Sequence, residues 1–328
     1  MIRLIDNTLT SLDHNLPDKE ELHSFCELLF AIGVDAIELS IPVYQQMGYL
    51  PEGQKYILNI NFPEEKEKNP GFYRYVSRYE DSSDKFIYEI QMNDTREIVR
   101  LRTHQNCKEI RIVGLDDLIC YDSYERILRE MIHAMPNGSI ILCPENTYYC
   151  ASALAIQWAS DFGGDITTSF AACKNNAATE EVIMALRLAI RHKPNRNLAV
   201  LPQLVRLYEK FTNKPIGNKK PIVGKHIFKV EAGIHVDGIK KNPATYEAYA
   251  PSIVGGTMEV VIGKHSGSKA VKLKLEELGY PIPSDQIIDK ILKKVKSFCT
   301  EHGRSLYVQE LAVMIKEVAD YEADEVYR

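Results

Sequence analysis

The sequence has a single tryptophan, no surplus of positive charge, and no apolar run near the roughly 18 residues that a bilayer-spanning helix needs. The missing run excludes a hydrophobic helical span and gives no reason to expect a membrane partner. Forty Lys and Arg stand against 45 Asp and Glu, a formal net charge of −5. That balance offers no electrostatic footing for nucleic acid or an anionic membrane. The seven cysteines are odd in number and lack any C-x-x-C pair, so neither a disulfide framework nor a dithiol redox motif is expected. They read as buried, reduced thiols of a cytoplasmic protein. The opening "MIRLIDNTLT" enters a strand pattern at once and leaves no room for a signal peptide. Internal repeats and low-complexity tracts are also missing.

What is present is an ordinary globular balance, 45% hydrophobic and 26% charged over 328 residues. That length suits one large domain with a smaller appendage. Strand-like runs at 3–9, 35–41, 55–60, 86–92, 109–114, 139–143 and 165–170 alternate with amphipathic stretches at 18–33, 123–135 and 150–163. Such alternation predicts a parallel sheet with helices outside it. It permits a closed (β/α)8 barrel of the TIM type, with a doubly wound open sheet as the alternative. Residues 60–86 are charged and proline-bearing, and read as a surface loop. Helices are expected at 180–192 and 198–213, a turn-rich linker follows, and two amphipathic helices near 285–302 and 306–320 close the chain. The domain boundary is therefore drawn between 1–213 and 214–328.

The candidate chemistry is sparse. "KVEAGIHVDGIKKNPATYEAY" (229–249) puts His235 and Tyr246 in a short glycine-flanked connection, where neither is expected to fill a core. Glu38 in "AIELSIP" and Asp6 at the end of the first strand are carboxylates at strand ends. Cys143 and Glu145 lie two apart and would share one strand face, but Pro144 and the lack of a nearby histidine make them a poor metal pair. His265 in "GKHSG" suits a structural turn. Lys219-Lys220 and Lys240-Lys241 read as solvated linker charges.

"GIHVDGIKKNPATYE", followed by "IVGG" and "VVIGKHSG", resembles the linker of homocitrate synthases and isopropylmalate synthases. These are metal-dependent Claisen-condensing enzymes that join acetyl-CoA to a 2-oxo acid. "LIDNTL", "GVDAIELSIP" and "NAATEEVIMALR" are similar to that family's first two barrel strands and its helix after the last strand. The resemblance is collinear over nearly the whole chain. It implies a divalent metal held by an aspartate and two histidines in T-L-R-D-G and H-x-H-N-D. An arginine beside that aspartate would offset developing negative charge. A linker histidine and tyrosine would close over the neighbouring subunit's barrel, the histidine in acid–base work.

Here T-L-R-D-G is Thr8-Leu9-Thr10-Ser11-Leu12, and H-x-H-N-D is Cys143-Pro144-Glu145-Asn146-Thr147. The metal positions thus hold Ser11, Cys143 and Glu145, and only Asn146 is kept. The family's glycine-glutamate-arginine turn is replaced within "AACKNNA", and a further linker histidine is Val230. His235 and Tyr246 stand at the two linker positions. The resemblance therefore implies a subunit that binds no cofactor of its own. It would lend His235 and Tyr246 in trans to a paralogous catalytic subunit carrying the divalent metal, in a homo- or heterodimer that condenses acetyl-CoA with a 2-oxo acid, most readily 2-oxoglutarate. Glu38, Asp6 and Asn146 are the substrate-binding candidates of its own barrel. Two alternatives stay open: a self-sufficient acyltransferase or lyase with a metal-free site, and a non-catalytic ligand-binding or regulatory homologue.

Overall fold

The computed structural model describes residues 2–13, 15–81 and 83–326, without the side chains at 236, 237, 240, 244 and 319–326. The chain divides into two compact units, Met1–Gly224 and Lys225–Arg328. The division falls between Gly224 and Lys225, at the end of the turn-rich stretch that follows residue 213.

The first unit is a closed barrel of eight parallel strands in sequential order, β1 pairing with β8 to complete it. Closure rules out the open-sheet alternative. The strands are β1 (Leu4–Asp6), β2 (Ala36–Leu39), β3 (Tyr56–Asn59), β4 (Arg74–Ser77), β5 (Phe86–Met92), β6 (Glu109–Gly114), β7 (Ser139–Pro144) and β8 (Asp165–Thr168). Between and after them come α1 (Lys19–Ile32), α2 (Ile41–Met47), α3 (Glu64–Lys68), α4 (Tyr124–Ala134), α5 (Ala151–Phe162), α6 (Thr179–Ile190) and α7 (Leu201–Thr212). α1 shows why these stretches coil. Leu22, Phe25, Cys26, Leu29 and Ile32 recur at helical spacing and are all buried, while Glu20 and Glu21 sit in the first turn. Gly33 ends the helix in the left-handed region at φ +117°, where a side chain would be strained.

Seven strands fall on the runs the sequence marks; the eighth is a correction. β4 lies inside 60–86, the stretch expected to be a surface loop, and pairs with both β3 and β5. Its four residues lie among charged neighbours, so no alternation longer than Tyr75-Val76-Ser77 announces it. The intervening α3 buries nothing.

The barrel interior is layered because strand side chains alternate with a period of two. Near the start of the strands, Arg3 pairs with Glu109 at 2.9 Å and Asp165 at 2.8 Å, and Arg74 reaches Glu109 at 3.2 Å. An apolar plug of Ile5, Ala36, Ile57, Val76, Ile87 and Ile141 fills the middle. Towards the C-terminal strand ends the same faces turn polar, with Asn7, Glu38, Asn59, Glu89, Arg111 and Cys143.

In the second unit, β9 (Lys229–Val230) pairs in parallel with β10 (Glu259–Val260), and Lys229 meets Glu259 at 3.1 Å. α8 (Gly233–Lys241) lies between them in sequence, and α9 (Ser268–Glu277), α10 (Asp285–His302) and α11 (Val308–Val326) follow. Val271, Leu275, Ile288, Ile291, Val295 and Leu311 form this unit's own core. The boundaries of α10 coincide with the expected 285–302 because both ends are marked. Ser284 accepts a bond from Ile287 N, and Gly303 takes φ +63°.

Candidate functional site

Polar strand ends above the apolar plug surround a cavity of about 880 Å3 at the C-terminal mouth of the barrel. This is the face on which barrels of this kind carry their sites. Its dominant feature is Arg111 on β6, 1% exposed. Both Arg111 Nη1 and Nη2 donate to Glu38, the latter to Oε1 at 3.2 Å. Nε donates to Glu89 Oε2 at 2.9 Å, and Nη2 lies 2.7 Å from the same oxygen. Asn59 Nδ2 adds a bond to Glu38 Oε1 at 2.8 Å, and Arg78 Nε one to Glu89 Oε1 at 3.3 Å. Burial opposes the charge on Arg111, but Glu38 and then Glu89 outweigh it and hold the guanidinium protonated. Burial likewise opposes charge on Glu89, and Arg111 overrides it, keeping the carboxyl below its ordinary range. Four contacts of the guanidinium fork are made within the wall. Sequence reasoning missed Arg111 because "EIRIVG" reads as a plain strand; a lone arginine amid strand isoleucines was the available signal.

Glu38 thus lines the cavity as a neutralised partner of Arg111. Glu145 also lines it and accepts from Gln91 Nε2 at 2.9 Å. Cys143 is buried, and Asn176 Nδ2 donates to its Sγ at 3.6 Å. Burial pushes the Cys143 thiol up to about 11, so it is a protonated thiol at neutral pH. Ser11 does not line the cavity: its hydroxyl donates to Thr8 O at 2.7 Å, and Cys173 Sγ lies 3.8 Å away. A hydroxyl already donating to backbone, a protonated thiol and one hydrogen-bonded carboxylate do not fit a divalent cation. Among the described residues, no group of three or more His, Cys, Asp or Glu is placed to hold a metal ion.

Asp6 and Asn146 lie elsewhere than the cavity lining. Asp6 faces away from the interior and is fully buried. It accepts from Thr8 N at 2.9 Å and Thr179 Oγ1 at 2.5 Å. Desolvation pushes it up to about 6 despite these bonds. Asn146 Oδ1 accepts from Ala151 N at 3.2 Å, which ties β7 to the start of α5.

The β8–α6 turn, "AACKNNA", is held from below. Ala171, Ala172 and Asn175 all have left-handed φ, between +54° and +60°, an arrangement that needs outside support. Glu180 supplies it by accepting from Ala171 N at 2.9 Å. The other Glu180 oxygen has no hydrogen bond, and Lys220 Nζ lies 3.7 Å from it. Burial pushes Glu180 up to about 7. Lys220, expected to be solvated, also reaches Glu181 at 2.5 Å. This pair fastens the linker to α6.

His235 and Tyr246 belong to the second unit. His235 lies within α8, a helix where an irregular connection was expected, and Tyr246 follows the short turn Pro243–Thr245. Their ring centroids are 5.6 Å apart at an interplanar angle of 49°. Gly238 makes this possible: a Cβ there would meet the Tyr246 ring at 2.3 Å. His235 and Gly238 are three apart, hence on one helix face, and the tyrosine ring lies along that face. Both rings stay exposed, Tyr246 by 47%. His265 N donates to Glu231 Oε1 at 2.6 Å within its turn. The side chain of Lys240 is outside the described residues.

Comparison with known proteins agrees with this architecture. The homocitrate synthase post-HMGL domain-like family matches residues 222–303. Over 343 residues the chain is 28% identical to the homocitrate synthase omega subunit of Clostridium pasteurianum, covering 96% of this chain and 95% of that one. A 121-residue stretch is 44% identical to the homocitrate synthase AksA of Methanothermobacter thermautotrophicus, covering 37% of this chain and 31% of that one. Among solved structures, hydroxymethylglutaryl-CoA lyase from Pseudomonas aeruginosa superposes with a TM-score of 0.51 at 16% identity, covering 66% of this chain and 94% of that one. That likeness is one of fold. The chain is thus similar to homocitrate synthases, through the family match at residues 222–303 and through the omega subunit over nearly its full length.

Proposed function

We propose that this chain is the partner subunit of a two-subunit condensing enzyme that joins acetyl-CoA to a 2-oxo acid, with 2-oxoglutarate the expected acid. The observation that carries the reading is a split within one polypeptide. The family's three metal positions hold Ser11, Cys143 and Glu145, groups unfit for a divalent ion, whereas the α8 segment retains an exposed His235 against Tyr246. Similarity to an omega subunit over almost the full length of both chains supports it. In this reading the divalent metal and the condensation chemistry belong to a paralogous catalytic subunit with an intact T-L-R-D-G and H-x-H-N-D. His235 would carry a proton to or from the reacting carbon or oxygen there, and Tyr246 would orient it. The barrel of this chain would serve as scaffold and dimer half. Arg111, already bound to two carboxylates, has little left with which to hold an anionic oxo acid.

The test is thiol release from acetyl-CoA in the presence of 2-oxoglutarate, measured for this chain alone, the paralogue alone and the two co-expressed. The reading expects turnover only in the co-expressed complex, or an increase there of roughly a hundredfold over the paralogue alone, the scale of a missing acid–base group. Chelator-resistant turnover by this chain alone would instead establish a self-sufficient metal-free enzyme.

A further inference from the structure

α8 starts without the usual side-chain cap: its N-cap is Ala232, which has no oxygen to offer the first amides. His235 is the third residue of that helix, so its placement depends on how the chain enters α8. Within the second unit this entry is held from two sides. β9 and β10 run in parallel, and Val261 N donates to Val230 O at 3.0 Å. That register brings Glu231 alongside the turn that follows β10. The turn, residues 263–267, folds back through a bond from Ser266 N to Gly263 O at 3.1 Å. It grips Glu231 twice. His265 N donates to Glu231 Oε1 at 2.6 Å, and the Ser266 hydroxyl donates to Glu231 O at 3.0 Å. Ser266 is buried, and its oxygen also accepts from Gly263 N at 3.0 Å, which fixes the direction of the hydroxyl. Gly263 leaves room for the carboxylate, since a Cβ there would lie 2.5 Å from Glu231 Oε1. On the other side Gly233 lies against the start of α9, where a Cβ would meet Ala270 N at 3.1 Å.

We propose that Glu231 is a positioning residue for His235: the turn after β10 holds its carboxylate and its carbonyl, and that hold fixes the entry of α8 and the placement of the imidazole. This rests on the proposed function, in which His235 moves a proton at a partner's reacting atoms. Glu231 acts as an acceptor, not as an acid or base, because Oε1 is bound to His265 N and its carbonyl to Ser266. An amide donating to a carboxylate makes a charge-assisted bond, stronger than one between neutral groups. Glutamine offers an amide oxygen to the same N–H, whereas alanine offers nothing. Glu231 lies outside the apolar core that Val271, Leu275, Ile288, Ile291 and Val295 build, so its loss leaves the folding of the unit to that core.

The experiment has two arms. In the full chain by itself, amide exchange over 233–239 should speed up at least several-fold in Glu231→Ala, with α10 unchanged and Glu231→Gln close to wild type. Gly263→Ala, which pushes the carboxylate aside without deleting it, should speed exchange over the same segment. In the complex with the catalytic paralogue, Glu231→Ala should lower kcat roughly tenfold or more, the scale of a displaced reacting group. KM for acetyl-CoA should stay the same, because ground-state binding is untouched. Glu231→Gln should recover kcat to within about threefold, since a neutral acceptor keeps a weaker form of the bond. Unchanged exchange in Glu231→Ala would overturn the anchor, and a glutamine variant as slow as the alanine one would overturn the acceptor role. Unchanged kcat in Glu231→Ala, where His235→Ala lowers it, would overturn the positioning role alone. Unchanged kcat in both variants would overturn the proposed function and this role with it.

Discussion

Charges inside the barrel mouth answer one another, while the His235 ring on α8 and the Tyr246 ring after it are left to solvent. Arg111 is surrounded by Glu38 and Glu89, themselves bound to Asn59 and Arg78, so the wall closes on itself. His235 and Tyr246 touch each other and little else is asked of them. A buried guanidinium shared between two carboxylates serves shape and rigidity; an exposed imidazole beside a tyrosine ring is open to solvent. Under the proposed function, the difference between the two regions is that between a scaffold and a contributor to a partner's site.

The comparison is broken most forcefully at Arg111. Arg111→Met leaves Glu38 and Glu89 beside each other without their cation, and removing one member of a buried ionic group costs about 3–5 kcal/mol. Urea unfolding should show that loss, and Glu38→Gln combined with Glu89→Gln should restore part of it. A loss below about 1 kcal/mol would mean that water, not Arg111, balances the carboxylates.

Next in size is the pH dependence set by Glu180. Its pKa is raised from 4.5 to about 7 in the folded protein. A group raised in this way favours the folded state in its protonated form. Its contribution is complete below the unfolded value of 4.5 and is lost as pH climbs through about 7. The difference is on the order of 3 kcal/mol, because each tenfold change in proton affinity is worth about 1.4 kcal/mol. Asp6, raised from 3.8 to about 6, acts in the same direction over a lower window. Glu180→Gln should therefore flatten the stability profile between about pH 4.5 and 7.5, as read from denaturant midpoints at successive pH values. An unaltered slope would place the titration elsewhere.

The smallest expected effect sharpens the other half of the comparison. Gly238→Ala pushes a Cβ into the Tyr246 ring, which is exposed enough to swing away. Stability should change by less than about 1 kcal/mol, since the helix itself gains from alanine. The kcat of the complex with the catalytic subunit should drop roughly tenfold through the lost orientation. Equal losses in both measurements would make the ring contact structural.

Much of the barrel is legible in the sequence because its strands are short apolar runs spaced by amphipathic helices, as with β5 through β8 and α1. β4 is not, because a four-residue strand in a charged stretch depends on pairing with β3 and β5 for its existence, a non-local cause. The α8 segment reads as an irregular connection because Gly233 and Gly238 suggest breaks; the helix forms anyway, and Gly238 is there for the Tyr246 ring. At the site, the replaced residues Ser11, Cys143 and Glu145 can be read in register, but their surroundings cannot. Only the fold reveals that Asp6 turns outward to Thr179, that Asn146 fastens α5, or that Arg111 meets Glu38 from a strand 73 residues away in sequence.

The most direct test of the split between scaffold and contributor is the steady-state kcat of the co-expressed complex with His235→Ala in this chain alone. An exposed residue should be replaceable without loss of assembly. The account predicts an intact complex whose kcat is lower by roughly a hundredfold. An intact complex with unchanged kcat would contradict it.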